Sequence, residues 1–270
     1  MTFKMLVVDI DDTLVNSQNT ISPETIAGIQ AMQAAGYAFV LASGRPTASV
    51  LAIAQSLGMD HYPEFIISFN GAVLMNALTG ETLFSQAILD QDIPVILDTL
   101  KSHDLSALTY DETHILIDRE NAYTHVEEEL TSIPTRYDSA FFESINTPLP
   151  KFIGVGDPQV VSELESRLQG KIGQATRMVT SKPFYLEIMH ETVSKGDAIT
   201  ALCQHLGISL DQVIAMGDGN NDIQMLEVAG KGVAVANASP AMLAIADEVA
   251  PSNDANGVLH IINKYFLADN

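Results

Sequence analysis

Both ends of this chain alternate short apolar runs with helical patterns, and the middle does not. From the amino terminus, "FKMLVVD" (3–9) reads as a buried strand and "SPETIAGIQAMQAAG" (22–36) as a helix. Ser22 is its N-cap, Pro23 its first helical position, and Gly36 stands beyond its end. "YAFVLAS" (37–43), "PTASVLAIAQSLG" (46–58) and "EFIISFNG" (64–71) continue as strand, helix and strand. The rhythm resumes late, with "KGDAITALCQHLG" (195–207), "QVIAMGD" (212–218), "NDIQMLEVAG" (221–230), "KGVAVAN" (231–237), "SPAMLAIAD" (239–247) and "GVLHIINKYFL" (257–267). Strands alternating with helices in this way require a parallel sheet covered on both faces.

The middle carries helical patterns at 92–103, 123–130 and 158–170. Strand-like runs stand at 105–111, 113–118, 151–156, 173–181 and 184–190. Paired strands with interspersed helices predict an α+β unit. The expected fold is therefore α/β: a doubly wound parallel-sheet core built from 1–82 and 190–270, with an α+β domain inserted over 83–189.

Composition narrows the partners. The chain has 34 acidic and 13 basic residues, a formal charge of −21. That field repels nucleic acid and anionic membrane surfaces. No stretch approaches the ~18 apolar residues of a membrane span, and the amino terminus lacks the apolar core of a signal peptide, so a cytoplasmic location is expected. The single cysteine, Cys203, lies in an apolar helical pattern and reads as core.

The chemistry gathers where strands end. After the first strand come Asp9, Asp11 and Asp12. In extended chain Asp9 and Asp11 point to the same side, and two carboxylates held together repel unless a cation or a proton intervenes. A solvated acidic turn is the other reading of this stretch. "MGDGNNDIQML" (216–226) again places acids, Asp218 and Asp222, after an apolar strand; a helix N-terminus also favours acids. A calcium EF-hand loop is excluded, because its sixth position is Ile223 and its twelfth Ala229. "LASGRP" (41–46) supplies Ser43, Gly44 and Arg45, in what could be a plain turn. Lys195 stands just before a helix, where a solvated lysine is equally ordinary. A phosphate-binding P-loop is absent, since neither Gly170-Lys171 nor Gly230-Lys231 precedes Ser or Thr. Hard oxygen donors without clustered His or Cys favour Mg²⁺ over zinc.

Taken together and in order, these segments resemble the haloacid-dehalogenase (HAD) superfamily, in its Cof-like sugar-phosphatase branch. The D-x-D-x-T signature is Asp9-Ile10-Asp11-Asp12-Thr13, and the second motif is Ser43-Gly44-Arg45. The third is Lys195, and the fourth runs from Gly217 through Asp218, Gly219, Asn220 and Asn221 to Asp222. Asn70-Gly71 and "VAVANAS" near Asn237 also fit the branch. One departure is "VAVANA", where the branch commonly has Met-Gly before the Asn.

The resemblance implies a Rossmann-like core and an inserted α+β cap that selects the substrate. It implies that Asp9 is the nucleophile, forming an aspartyl-phosphate, and that Asp11 is the general acid and base. Mg²⁺ would be held by Asp9, the backbone carbonyl of Asp11, Asp218 and Asp222. Lys195, Ser43 and backbone N–H groups would bind the transferring oxygens, which reconciles an anionic substrate with an acidic protein. Gly44, Arg45, Asn70 and Asn221 would line the substrate site. In the cap, Arg177, Lys182 and Glu187 are the residues expected to reach the substrate. The implied substrate is a small phosphorylated metabolite, and the protein a monomer or homodimer. A phosphotransferase or mutase would use the same nucleophile. A phospho-acceptor signalling module is the non-enzymatic alternative, and Asp11 argues against it.

Overall fold

A computed structural model describes residues 2–62 and 64–268. It divides into two compact units, Met1–Phe84 with Ser194–Asn270, and Ser85–Val193.

In chain order the first unit opens with β1 (Met5–Val8), α1 (Pro23–Ala34), β2 (Ala38–Ala42), α2 (Thr47–Ser56), β3 (Phe65–Ser68), β4 (Val73–Asn76) and β5 (Thr82–Ser85). The second unit contains α3 (Ile93–Ser102), β6 (Ser106–Tyr110), β7 (Ile115–Ile117), α4 (Val126–Thr131), β8 (Thr135–Tyr137), α5 (Ser139–Glu143), β9 (Lys151–Val155), α6 (Pro158–Leu168), β10 (Thr176–Lys182) and β11 (Tyr185–His190). The first unit then resumes with α7 (Lys195–Leu206), β12 (Val213–Gly217), α8 (Ile223–Val228), β13 (Lys231–Val235), α9 (Pro240–Ile245), β14 (Glu248–Ala250) and α10 (Gly257–Tyr265).

The eight strands of the first unit lie in the order β14-β13-β12-β1-β2-β3-β4-β5. From β14 to β3 every pairing is parallel, and β4 turns back antiparallel to β3. All four residues of β1 are buried, as a strand covered on both faces requires. The chain order reverses between β1 and β12. At that switch point the carboxyl ends of parallel strands leave a crevice for ligands. Ser22 caps α1 by accepting a hydrogen bond from Thr25 N at 3.1 Å, with Pro23 following as the sequence predicts.

The second unit pairs its strands as β10-β11-β9-β6-β7-β8, antiparallel except for β7 with β8. Its core includes Ile96 and Leu100 from α3, Val161 and Leu164 from α6, and Phe152, Leu186 and Ile188 from the sheet.

Several elements are ones the periodicity does not announce. β5, β8 and β14 are only 3–4 residues long, with most of their residues exposed or partly exposed, and they border their sheets, so few apolar residues alternate in them. The unit boundaries also fall later than the expected 83 and 189. β5 joins the large sheet, and beyond β11 the chain stays tied to the second unit through Glu191 N donating to the Ala175 carbonyl at 2.9 Å.

One buried carboxyl makes stability in the first unit depend on pH. Glu64 is 3% exposed and accepts a hydrogen bond from Phe39 N at 2.6 Å. Burial pushes its pKa from 4.5 up to about 8 against the pull of that bond. The folded chain thus holds this proton more tightly than the unfolded chain. The resulting stability is complete below 4.5 and is lost as pH rises through about 8. Glu64→Gln keeps the acceptor without the charge. In thermal melts it is expected to exceed wild type by at least ~2 °C at pH 8.5, with the gap closing by pH 5; equal melts at both pH values would refute the assignment.

Candidate active site

Four neighbouring strands end together and place the motif residues. β1 and β12 run in register, Val8 opposite Met216, so Asp9 and the Gly217–Asp218 pair leave the sheet side by side. Asp9 N donates to the Met216 carbonyl at 2.9 Å. On the other side of β1, β2 ends before Ser43, and β3 ends before the Phe69–Gly71 turn. Ser43 N is bonded to the Ile67 carbonyl at 2.8 Å, and Asn70 N to the Ser43 carbonyl at 2.9 Å.

Carboxylate oxygens of Asp9, Asp218 and Asp222 lie within 4.8 Å of one another. Lys195 opens α7 and is fully buried. A cation at a helix N-terminus opposes the helix dipole, so this lysine needs carboxylate partners. It has them: Nζ donates to Asp9 Oδ1 at 2.5 Å and to Asp222 Oδ1 at 2.6 Å. Burial alone would depress the ammonium's pKa, but Asp222 and Asp9 outweigh it and hold it above its ordinary value. Burial, and then Asp222, push Asp9 well above the usual carboxylate range, with Lys195 pulling the other way. Asp218 is raised to about 6, chiefly by burial. Three carboxylates against one ammonium leave two negative charges in excess. A divalent cation with oxygen ligands suits that balance.

The oxygens are not equivalent. Asp222 Oδ2 accepts from the N–H groups of Asp218 at 3.1 Å and Gly219 at 3.0 Å, so both its oxygens are engaged. Its Cβ lies where Gly217 has no side chain: a Cβ on Gly217 would stand 2.6 Å from it. Thr13 Oγ1 donates to Asp218 Oδ1 at 2.8 Å. Among the described residues nothing donates to Asp9 Oδ2 or Asp218 Oδ2. Those two oxygens are the ones directly available to a cation, and Asp222 orients the Asp218 turn and Lys195.

Asp11 corrects one expectation. The like charges beside Asp9 are Asp222 and Asp218, not Asp11. The strand ends at Val8 and Ile10 already opens a helical turn, so the two-residue period of extended chain does not carry from Asp9 to Asp11. Instead the Arg45 guanidinium grips the half-exposed Asp11 carboxylate with both arms, Nε to Oδ2 at 2.9 Å and Nη2 to Oδ1 at 2.6 Å. Ser43 is buried and its Oγ accepts from Arg45 N at 3.1 Å. Asn70 Oδ1 accepts from Asn221 Nδ2 at 3.1 Å, and a Cβ on Gly44 would sit 3.0 Å from that same Oδ1. Lys182 closes β10 in the second unit, opposite Tyr185 after a bulge. Two pairings went unread in the sequence, though both residues stand in its motifs: Thr13 with Asp218, and Asn237, whose amide donates to the Asp12 carbonyl at 2.8 Å. Neither pairing has a local signal.

A family model described as haloacid dehalogenase-like hydrolase matches residues 6–262. The chain belongs to that family. Its relatives place it in the Cof-like branch of the HAD superfamily. A proposed phosphatase of Streptococcus pyogenes serotype M6 is 31% identical over 269 residues, covering 99% of this chain and 100% of the relative. The 5-amino-6-(5-phospho-D-ribitylamino)uracil phosphatase YwtE of Bacillus subtilis is 28% identical, covering 97% of each. The crystal structure of a haloacid dehalogenase-like hydrolase from Bacteroides thetaiotaomicron superposes with a TM-score of 0.90 at 33% identity, over 98% of this chain and 100% of that one. The enzyme class of this HAD chain is that of a phosphatase, a hydrolase of phosphate esters. No helix among the described residues is long and apolar enough to cross a membrane.

Proposed function

We propose that this HAD-family chain is a Mg²⁺-dependent phosphatase of small phosphorylated metabolites, working through an aspartyl-phosphate on Asp9. The observation that carries the reading is the Asp9–Asp218–Asp222 set, its first and last members buried and Asp218 half-buried, with Lys195 seated on Asp9. The resemblance of YwtE, a phosphatase whose named substrate is a phosphorylated ribityl compound, supports the substrate class.

Asp9 attacks phosphorus through the carboxylate oxygen that a cation does not take. The Asp9 O–P bond forms as the ester P–O bond breaks. Asp11 gives a proton to the leaving alkoxide, and later takes one from the water that hydrolyses the aspartyl-phosphate. For either task its carboxyl must leave Arg45, which in this structure occupies both oxygens. Lys195 and Ser43 hold the transferring phosphoryl oxygens as charge spreads over them. Mg²⁺, bound by Asp9 and Asp218 with the Asp11 carbonyl, would neutralise the repulsion between Asp9 and the phosphate dianion. The second unit is the part we assign to substrate selection, with Lys182 among its contacts.

A panel of phosphorylated metabolites assayed with Mg²⁺ for released phosphate tests the reading directly; no release from any member would refute it. Asp11→Asn separates the two half-reactions. The amide can neither give nor take the proton, so alkyl phosphates should lose at least ~10²-fold in kcat. A nitrophenyl phosphate needs little help in leaving, so its aspartyl-phosphate should form and accumulate, visible as a mass increase on the protein. Unchanged turnover of alkyl phosphates in this variant would remove Asp11 from the mechanism.

A further inference from the structure

Three consecutive residues, Phe69, Asn70 and Gly71, have positive φ, at 50°, 57° and 106°. L-residues visit this region singly, and for a bulky phenylalanine it is an outlier. Strain of this kind persists only where the surroundings over-determine it, and it collects at working sites. Here the turn is held from three sides. Phe69 N donates to the Arg45 carbonyl and Asn70 N to the Ser43 carbonyl, both at 2.9 Å. The Asn70 side chain accepts from Asn221 at 3.1 Å. On the third side Gly71 presses against the start of α7. A Cβ there would lie 2.1 Å from the Ser194 carbonyl oxygen and 2.9 Å from Lys195 N.

We propose that the left-handed 69–71 turn is a positioning device for Lys195, with Gly71 its contact point. The strained backbone brings Gly71 flush against Ser194, and that contact fixes how far α7 stands from Asp9. Ser194 in turn caps the helix, its Oγ accepting from Asp197 N at 3.0 Å, so the backbone from which Lys195 reaches Asp9 moves with the whole first turn. The same turn locks Ser43 and Asn221 to one frame. The kinetic consequence rests on the phosphatase reading above; the placement of Lys195 does not.

Gly71→Ala and Gly80→Ala separate the contact from the cost of a positive φ. Gly80 has φ 72° in the turn before β5, with nothing within 4 Å of an added Cβ. Crystal structures of both variants are compared with wild type. Their kcat and KM are measured at a temperature where circular dichroism shows each protein folded. In Gly71→Ala the start of α7 is expected to retreat and draw Nζ off Asp9 by roughly an ångström. The kcat is expected to fall about 100-fold with KM little changed, the scale of loss such a misplacement produces. Gly80→Ala is expected to match wild type. Lys195 unmoved in Gly71→Ala, or a loss no greater than that of Gly80→Ala, overturns the assignment. If Gly71→Ala fails to fold, Asn70→Gly decides. It loosens the turn but also removes the amide that accepts from Asn221, so the readout is the position of Lys195: in its crystal structure Nζ drawn off Asp9 supports the role, whereas Lys195 unmoved overturns it. A wild-type protein that releases phosphate from no ester refutes the phosphatase reading alone, and the crystallographic arm still decides the placement of Lys195.

Discussion

Asp9→Asn is expected to lower kcat by at least ~10³ on every phosphate ester, because the amide oxygen carries no charge with which to attack phosphorus. The substitution is a clean one. Asparagine keeps the size of the side chain and can still accept the hydrogen bond that Lys195 makes to Oδ1. Burial already raises the Asp9 pKa well above the usual range, so the folded protein gains little from the charge in the absence of a cation. The variant should therefore melt no lower than wild type in metal-free buffer. A large kinetic loss with an undiminished melt places the defect in chemistry and not in folding. No phosphoenzyme should be trapped from it, even with a nitrophenyl phosphate. A kcat within tenfold of wild type would mean that another residue attacks.

Chelation of divalent cations is expected to abolish phosphate release, and Mg²⁺ to restore it. Asp9, Asp218 and Asp222 face a single buried ammonium, so the site without a cation carries excess negative charge that a phosphate dianion would have to approach. The low-dielectric surroundings make that repulsion strong. Ca²⁺ should bind to the same oxygens but support turnover poorly, because its longer and looser coordination spoils the in-line geometry. A melt gives an independent reading. Mg²⁺ should raise the Tm of wild type, and do so much less in Asp218→Asn, which removes one of the two oxygens not already hydrogen-bonded. Full activity in excess chelator would exclude the metal.

The core of the fold was legible because its signals are local. A buried strand such as Met5–Val8 is a continuous apolar run, and the cap of α1 is written in Ser22 and Pro23. The strand-end positions of Asp9, Ser43, Lys195 and Asp218 follow from the same reading, since each stands beside an apolar run or opens a helix. The resemblance to the HAD superfamily then put these residues in one site.

What escaped the sequence depends on neighbours far away in the chain. The edge strands β5, β8 and β14 exist because a sheet already stands beside them, and their own residues carry too little apolar alternation to announce it. The partnership of Thr13 with Asp218 spans 205 positions, and that of Asn221 with Asn70 spans 151. Residue spacing alone set Asp11 beside Asp9, but the turn after β1 hands Asp11 to Arg45 and leaves Asp9 to Lys195. Sequence determined which groups stand at the ends of the strands, because periodicity and capping act over a few residues. Only the tertiary structure decided which of those groups touch, because a carboxylate's partner is set by the packing of separate strands and helices.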